Sequence, residues 1–428
     1  MATPTVPIME RGEGVWAVTE AGERYLDAVS GTFNLPLGYS HPAVVDAVVA
    51  QARRAMHVGS SMASPLKEEF TRKLAALAPA GLDAVWLRDI TGSTAVECAV
   101  RITQKATGRP GVLTFFYGHH GQTLYTTGLA GPAFRREAFP ATSSIPAAVR
   151  APAPYCLRCF YDAQPATCGV KCVDKIDEIL TYAATSRIAC LIVEPVFGNG
   201  GNIVPPAAFF PKIRRFCSER GILLVADEVQ TGLGRTGHMF ASVALGLDPD
   251  IIVLAKGLGG CGVPLAAVLM RGELDVLERH EHSFTSGAHL LGLAAGIATL
   301  EVISSPSFLA DVRRRGRLLG ERLRRLSHRH RGIGEVRGLG LMWGLEMVTV
   351  DGGRDVERAN RIVEVARDRH RLLLRTSQYG RGNVVKVRPA LVASEAELDE
   401  IVDRLDAVLG ETAEPSVPAP AHSRVLQA

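Results

Sequence analysis

The sequence predicts an α/β protein: a mainly parallel sheet covered by helices on both faces, joined to a smaller α+β unit. Three observations carry this. From about residue 84 to 270, short apolar runs alternate with amphipathic stretches, the pattern of parallel strands joined by helices. The 428 residues exceed what one compact core usually holds, so two subdomains are expected. Beyond residue 308 the pattern changes to charged helical stretches around a few apolar strands.

Taken in order, residues 1–50 contain "GVWAVTEAGERYLDAVSG", a β-like stretch with a glycine turn, and are assigned to the N-terminal part of the small domain. Residues 51–307 form the expected large domain. Its strands are "AVWLR", "GVLTFF", "IACLIVEP", "GILLVADE", "DIIVLAK" and "LAAVLM", with helices such as "TAVECAVRITQKA" and "AAFFPKIRRFCSER" between them. Residues 308–411 complete the small domain. There "DVRRRGRLLGERLRRLSHRHRG" places Val312, Leu319, Leu323 and Leu326 near helical spacing, which makes its arginines a solvated face and not a nucleic-acid surface. The tail, 412–428, is rich in proline and alanine and is expected to be mobile.

Composition narrows the class. Hydrophobic content of 47% with 21% charge is ordinary for a soluble globular chain, and a net charge of +4 calls for no acidic partner. No run approaches the ~20 apolar residues that span a bilayer. The N-terminus shows no basic region followed by an apolar one, and eight cysteines in so long a chain fit a reducing cytoplasm.

The informative stretch is "VLAKGLGG". Lysine is rare here, eight against forty arginines, yet Lys256 ends an apolar strand. Asp227 ends another, in "GILLVADEVQTGLGRTG". Ligands of parallel α/β sheets bind beyond the carboxyl ends of strands. The two charges are either a structural ion pair or the two anchors of pyridoxal phosphate. In the second case the lysine forms a Schiff base and shuttles a proton, while the carboxylate keeps the ring nitrogen protonated. "DITGSTAVECAVRI" offers a phosphate cradle: backbone N–H groups of Gly92 and Ser93 with the Ser93 hydroxyl at a helix N-terminus.

With these motifs, residues from about 10 to 405 resemble the class III (ω-)aminotransferases, pyridoxal-phosphate enzymes of fold type I. The resemblance implies a large domain with a mainly parallel seven-stranded sheet and a small domain built from both chain ends. It implies Lys256 as the covalent anchor, Asp227 on the pyridine nitrogen and Gln230 near the ring hydroxyl. In "GHHGQT" it puts His119 at the aromatic stacking position, and in "EPVFGNGGNIVPP" it puts Glu194 beside the cofactor. Thr285, in "FTSGAHLLGLAAGIATLEVI", falls at the threonine that reaches the neighbouring subunit's phosphate, so a homodimer is implied, with Phe33 at the substrate mouth.

Two departures concern substrate. Many relatives read Gln, then Gly-Glu-Gly, where this chain has Phe197 and Gly198-Asn199-Gly200; the carboxylate-binding arginine is replaced by Lys386, with Arg388 two residues on. Lysine cannot grip a carboxylate bidentately. A switch that is absent or rebuilt is therefore expected, with the donor carboxylate on Lys386 or Arg388 and a carboxylate-free acceptor, such as the aminoglycoside sugars of antibiotic-pathway members. The overall expectation is an aminotransferase moving an amino group from a donor such as glutamate or glutamine to an aldehyde or ketone. The alternatives are an epimerase or aminomutase, a 4-aminobutyrate/diaminobutyrate-type aminotransferase, or a non-catalytic regulator. Cys156, Cys159, Cys168 and Cys172 are left open among structural zinc, a disulfide and free thiols.

Overall fold

The computed structural model describes residues 7–59, 62–137, 139 and 148–413. An antiparallel meander opens the chain: β1 (Met9–Glu13), β2 (Trp16–Thr19) and β3 (Arg24–Asp27). Helices α1 (Pro42–Arg54) and α2 (Pro65–Leu77) follow, each begun by a proline whose fixed φ suits the first helical position.

The large sheet comprises β4 (Ala84–Asp89), β5 (Gly111–Phe115), β6 (Ala148–Ala151), β7 (Ile188–Val193), β8 (Leu223–Asp227), β9 (Ile251–Leu254) and β10 (Ala266–Met270). Their order is β4-β10-β9-β8-β7-β5-β6, and β10 alone runs antiparallel to its neighbours. The expected mainly parallel seven-stranded sheet is therefore present. Every residue of β5, β7, β9 and β10 is buried. A sheet covered on both faces needs continuous apolar runs in place of alternation. Among the helices, α3 (Gly92–Thr107), α4 (Phe209–Arg220) and α5 (Leu290–Ile303) frame this core.

Strand β6 escaped the sequence reading. Its four residues, "AVRA", carry a charge in the middle, and it forms only because it pairs with β5 at the sheet edge. Arg150 then becomes structural, its Nε donating to the Ala130 carbonyl at 2.8 Å. A smaller correction concerns β9, which ends at Leu254, so that Lys256 opens a 3-10 turn beyond the strand.

The remaining elements are α6 (Pro306–Arg329), β11 (Ile333–Leu339), β12 (Met342–Met347), α7 (Val356–His370), β13 (Leu372–Leu373), β14 (Arg375–Thr376), β15 (Val384–Val387) and α8 (Glu395–Glu411). Strands β11-β12-β15-β14 form an antiparallel sheet, and β13 joins β3 in parallel. Val312, Leu319, Leu323 and Leu326 are fully buried and share a core with Val15 and Leu26 from the N-terminal segment. Both chain ends thus contribute to one apolar cluster.

No single helix among the described residues is long and apolar enough to cross a membrane. The tail from residue 414 lies outside the described residues. Cys156, Cys159, Cys168 and Cys172 are half-buried and form no disulfide. No three of their sulfurs lie within 4.8 Å of one another; among the described residues only Asp89, Cys98 and His282 bring three such ligand atoms that close.

Candidate active site

A cavity of about 760 Å³ opens beyond the carboxyl ends of β8 and β9. Asp227, the last residue of β8, is buried there. Its Oδ1 accepts from the Val229 N–H at 3.2 Å, and its Oδ2 accepts from His120 Nδ1 at 2.8 Å. Burial alone would lower the His120 pKa, but the hydrogen bond and charge of Asp227 outweigh it and raise it. The pair fixes the carboxylate's orientation toward the cavity.

Lys256 faces the same cavity from the turn after β9. Its backbone is left-handed, with φ of 38°, a conformation that costs energy in a residue with a side chain. Its Nζ has no hydrogen-bond partner among the described residues. Burial lowers its pKa; Asp227 and Glu194 oppose that, and Arg388 reinforces it. The effect is to favour the neutral, nucleophilic amine.

Glu194 is 2% exposed and spans two loops: its carboxylate accepts from the His119 N–H and the Gly198 N–H, each at 2.9 Å. Burial and the nearby Asp227 charge push it up to about 7. The His119 ring stands in the cavity with Nε2 3.2 Å from the Tyr379 hydroxyl, and its buried Nδ1 has no partner. Burial, then Arg135 and Lys256, hold its pKa well below the usual value, so His119 is a neutral ring.

Gly92 and Ser93 open α3 at the cavity wall, and the Ser93 hydroxyl accepts from the Gln122 N–H at 3.0 Å. The Thr91 side chain caps the helix by accepting from the Thr94 N–H. A Cβ at Gly92 would lie 2.9 Å from Val229 Cγ1, which explains glycine where helix and strand ends converge.

The predicted substrate residues divide. Phe33, Asn199 and Lys386 line the cavity. Phe33 is held with φ of 65°, and Lys386 Nζ lies 5.2 Å from its ring centroid. Arg388 does not line the cavity. Its guanidinium donates to Gln230 Oε1 at 2.6 Å, to the Gly198 carbonyl at 2.7 Å and to the Asn202 side chain. It braces Gln230 from behind, which corrects the expectation that it meets a substrate carboxylate. Thr285 is exposed and outside this chain's cavity. Sequence reasoning missed His120, Tyr379 and Arg375. The first lay in the quoted "GHHGQT", but its pairing with a residue 107 positions away is visible only in three dimensions.

The donor set fits pyridoxal phosphate. The cavity wall combines a helix N-terminus and a hydroxyl suited to a phosphate with an oriented carboxylate, a lysine that has no hydrogen-bond partner among the described residues, and the unpartnered Nδ1 of His119. Fold and site together define a pyridoxal-phosphate enzyme of fold type I. Residues 2–409 match the Aminotransferase class-III family model, and the chain belongs to that family, a group of pyridoxal-phosphate-dependent transaminases. It is 30% identical to the diaminobutyrate–2-oxoglutarate aminotransferase of Haemophilus influenzae, covering 92% of this chain and 88% of that one. It is 32% identical to the acetylornithine aminotransferase of Brucella melitensis, covering 93% and 91%. The leucine/methionine racemase of Thermococcus litoralis is 31% identical, covering 96% and 92%. Among solved structures, the amine transaminase of an uncultivated Pseudomonas species in its pyridoxal-phosphate-bound form superposes with a TM-score of 0.87 at 28% identity, over 96% of this chain and 97% of that one.

Proposed function

We propose that this site moves an amino group from an amino-acid donor such as glutamate or glutamine to an aldehyde or ketone acceptor. The observation that carries this is Lys256, half-buried and without a hydrogen-bond partner among the described residues, set against the His120-oriented Asp227 in one cavity. Bound pyridoxal phosphate supplies an aldehyde for the incoming amine and a ring that accepts the electron pair released at the substrate Cα. Lys256 Nζ would anchor the cofactor and move the Cα proton, a role that its lowered pKa assists. Asp227, held in place by His120, would keep a proton on the ring nitrogen. Gly92 and Ser93 would hold the phosphate through N–H groups and a hydroxyl. His119 would cover the ring, and Gln230, braced by Arg388, would meet its hydroxyl.

The similarity to enzymes named for diaminobutyrate and acetylornithine favours a carboxylate-bearing ω-amino substrate over the amino-sugar acceptor drawn from the Asn199 and Lys386 departures. The racemase relative supports a second reading, epimerisation with the same Lys256 proton shuttle. A homodimer is part of the proposal: Thr285 is exposed beside Phe284 and near Met62, two large apolar side chains left open on the single chain. The test is a single half-reaction with L-glutamate. Transamination yields stoichiometric 2-oxoglutarate and pyridoxamine phosphate. Formation of D-glutamate with no keto acid would replace this reading by racemisation.

A further inference from the structure

Away from the cavity, the interior brings together a carboxylate, a thiol and an imidazole. Asp89 ends β4, Cys98 lies on α3, and His282 lies in the segment ahead of α5. None of the three lines the cavity of Lys256. All are buried, Asp89 and Cys98 completely and His282 at 4% exposure. One ligand atom from each lies within 4.8 Å of the other two. His282 Nε2 stands 2.9 Å from Asp89 Oδ1, and the imidazole ring packs between Trp86 and Phe284. The other carboxylate oxygen, Oδ2, is buried with no hydrogen-bond partner.

A structural carboxylate–imidazole pair accounts for two of these groups. It leaves the adjoining thiol and the bare Oδ2 unexplained, and a buried polar atom without a partner is costly. A cation would satisfy both. Magnesium and calcium call for shells of oxygen, whereas one sulfur, one nitrogen and a carboxylate suit zinc. Zinc binds nitrogen and oxygen at about 2.0–2.2 Å, so tetrahedral neighbours stand roughly 3.3 Å apart. The His282–Asp89 separation then has to open by only a few tenths of an ångström. Binding sends the thiol proton to solvent and moves the Nε2 proton to Nδ1. The Asp89 carboxylate and Cys98 thiolate balance the two positive charges, which leaves a neutral site, as a dry interior requires.

We infer that Asp89, Cys98 and His282 form a buried site for a divalent cation of the zinc class. It is a clip: it fastens the end of β4, helix α3 and the segment ahead of α5, which are far apart along the chain. Both oxygens of Asp89, with Cys98 Sγ and His282 Nε2, supply four donor atoms.

The test is made on the untagged holoenzyme, produced with zinc in the medium and dialysed against a chelator to strip surface metal. Metal analysis should find about one zinc per chain, and X-ray absorption at the zinc edge should show one sulfur among nitrogen and oxygen neighbours. Cys98→Ala should retain less than a tenth of the wild-type zinc while keeping the cofactor's visible band, which reports a folded chain. The double variant Cys156→Ser/Cys159→Ser should keep its zinc in full. A wild-type enzyme without stoichiometric metal overturns the site, as does full zinc in Cys98→Ala. Zinc surrounded by several sulfurs, or lost in the double variant, places the metal on the half-buried cysteines and overturns it equally. If Cys98→Ala fails to fold, the wild-type metal content and absorption spectrum decide alone.

Discussion

At the residue scale, the proposed chemistry rests on Lys256, Asp227 and Glu194. Lys256→Ala should lose both the cofactor's covalent visible band and turnover, by roughly 10²–10⁴-fold or more if its proton shuttle is lost. Near wild-type rates in this variant would remove Lys256 from the mechanism. Asp227→Asn should keep the cofactor but slow Cα–H exchange strongly, because an amide does not hold a proton on the ring nitrogen. Glu194 gives a pH prediction. Its folded pKa of about 7 stands above the ordinary 4.5, so the folded chain binds more protons than the unfolded one between those values. Stability of the cofactor-stripped enzyme should therefore be fullest below about 4.5 and fall as pH rises through about 7. Glu194→Gln should flatten that slope relative to wild type, whatever its constant offset from altered hydrogen bonds. Parallel denaturant midpoints for the two proteins across this window would show the carboxylate ionises normally.

At the element scale, the site is an arrangement of ends: the carboxyl ends of β8 and β9, the amino end of α3 and the β14–β15 pair. Convergence leaves little room. Gly92→Val should weaken pyridoxal phosphate about tenfold, ~1.4 kcal/mol, because a side chain there meets Val229 and displaces the helix end from the phosphate position. Unchanged affinity by titration of the stripped enzyme would mean that α3 does not hold the phosphate. The strands that frame the site were legible because burial on both faces demands uninterrupted apolar runs, as in "IACLIV" and "IIVL". Strand β6 was not, since four residues with a central arginine carry no periodicity. Its partner makes it a strand.

At the scale of the whole molecule, the prediction concerns assembly. Phe284 is 36% exposed and Met62 65% exposed, in the neighbourhood of the exposed Thr285. Phe284→Glu should turn the proposed dimer into monomers by sedimentation at micromolar concentration, with activity lost in step. A fully active monomer of the wild-type chain would end the shared-site proposal. The apolar cluster that unites Val15 and Leu26 with Val312 and Leu319 shows the same logic within one chain. Distant segments complete a core that neither end could bury alone.

By itself the sequence determined the fold class and the family likeness, and it singled out residues whose signal is local: an aspartate ending one strand, a lysine just past another, and a Gly-Ser turn at a helix start. Such signals survive in one dimension because secondary structure sets their spacing. Only the tertiary structure decided which charges are spent and which are free. Arg388 and Lys386 stand two positions apart on or beside one strand, yet Arg388 is consumed by Gln230, Gly198 and Asn202 while Lys386 faces the cavity. His120 finds Asp227, and Arg375 finds Lys386, across 107 and 11 positions. Whether a charge is paired depends on what packs against it, and that is set by contacts between segments far apart in the chain.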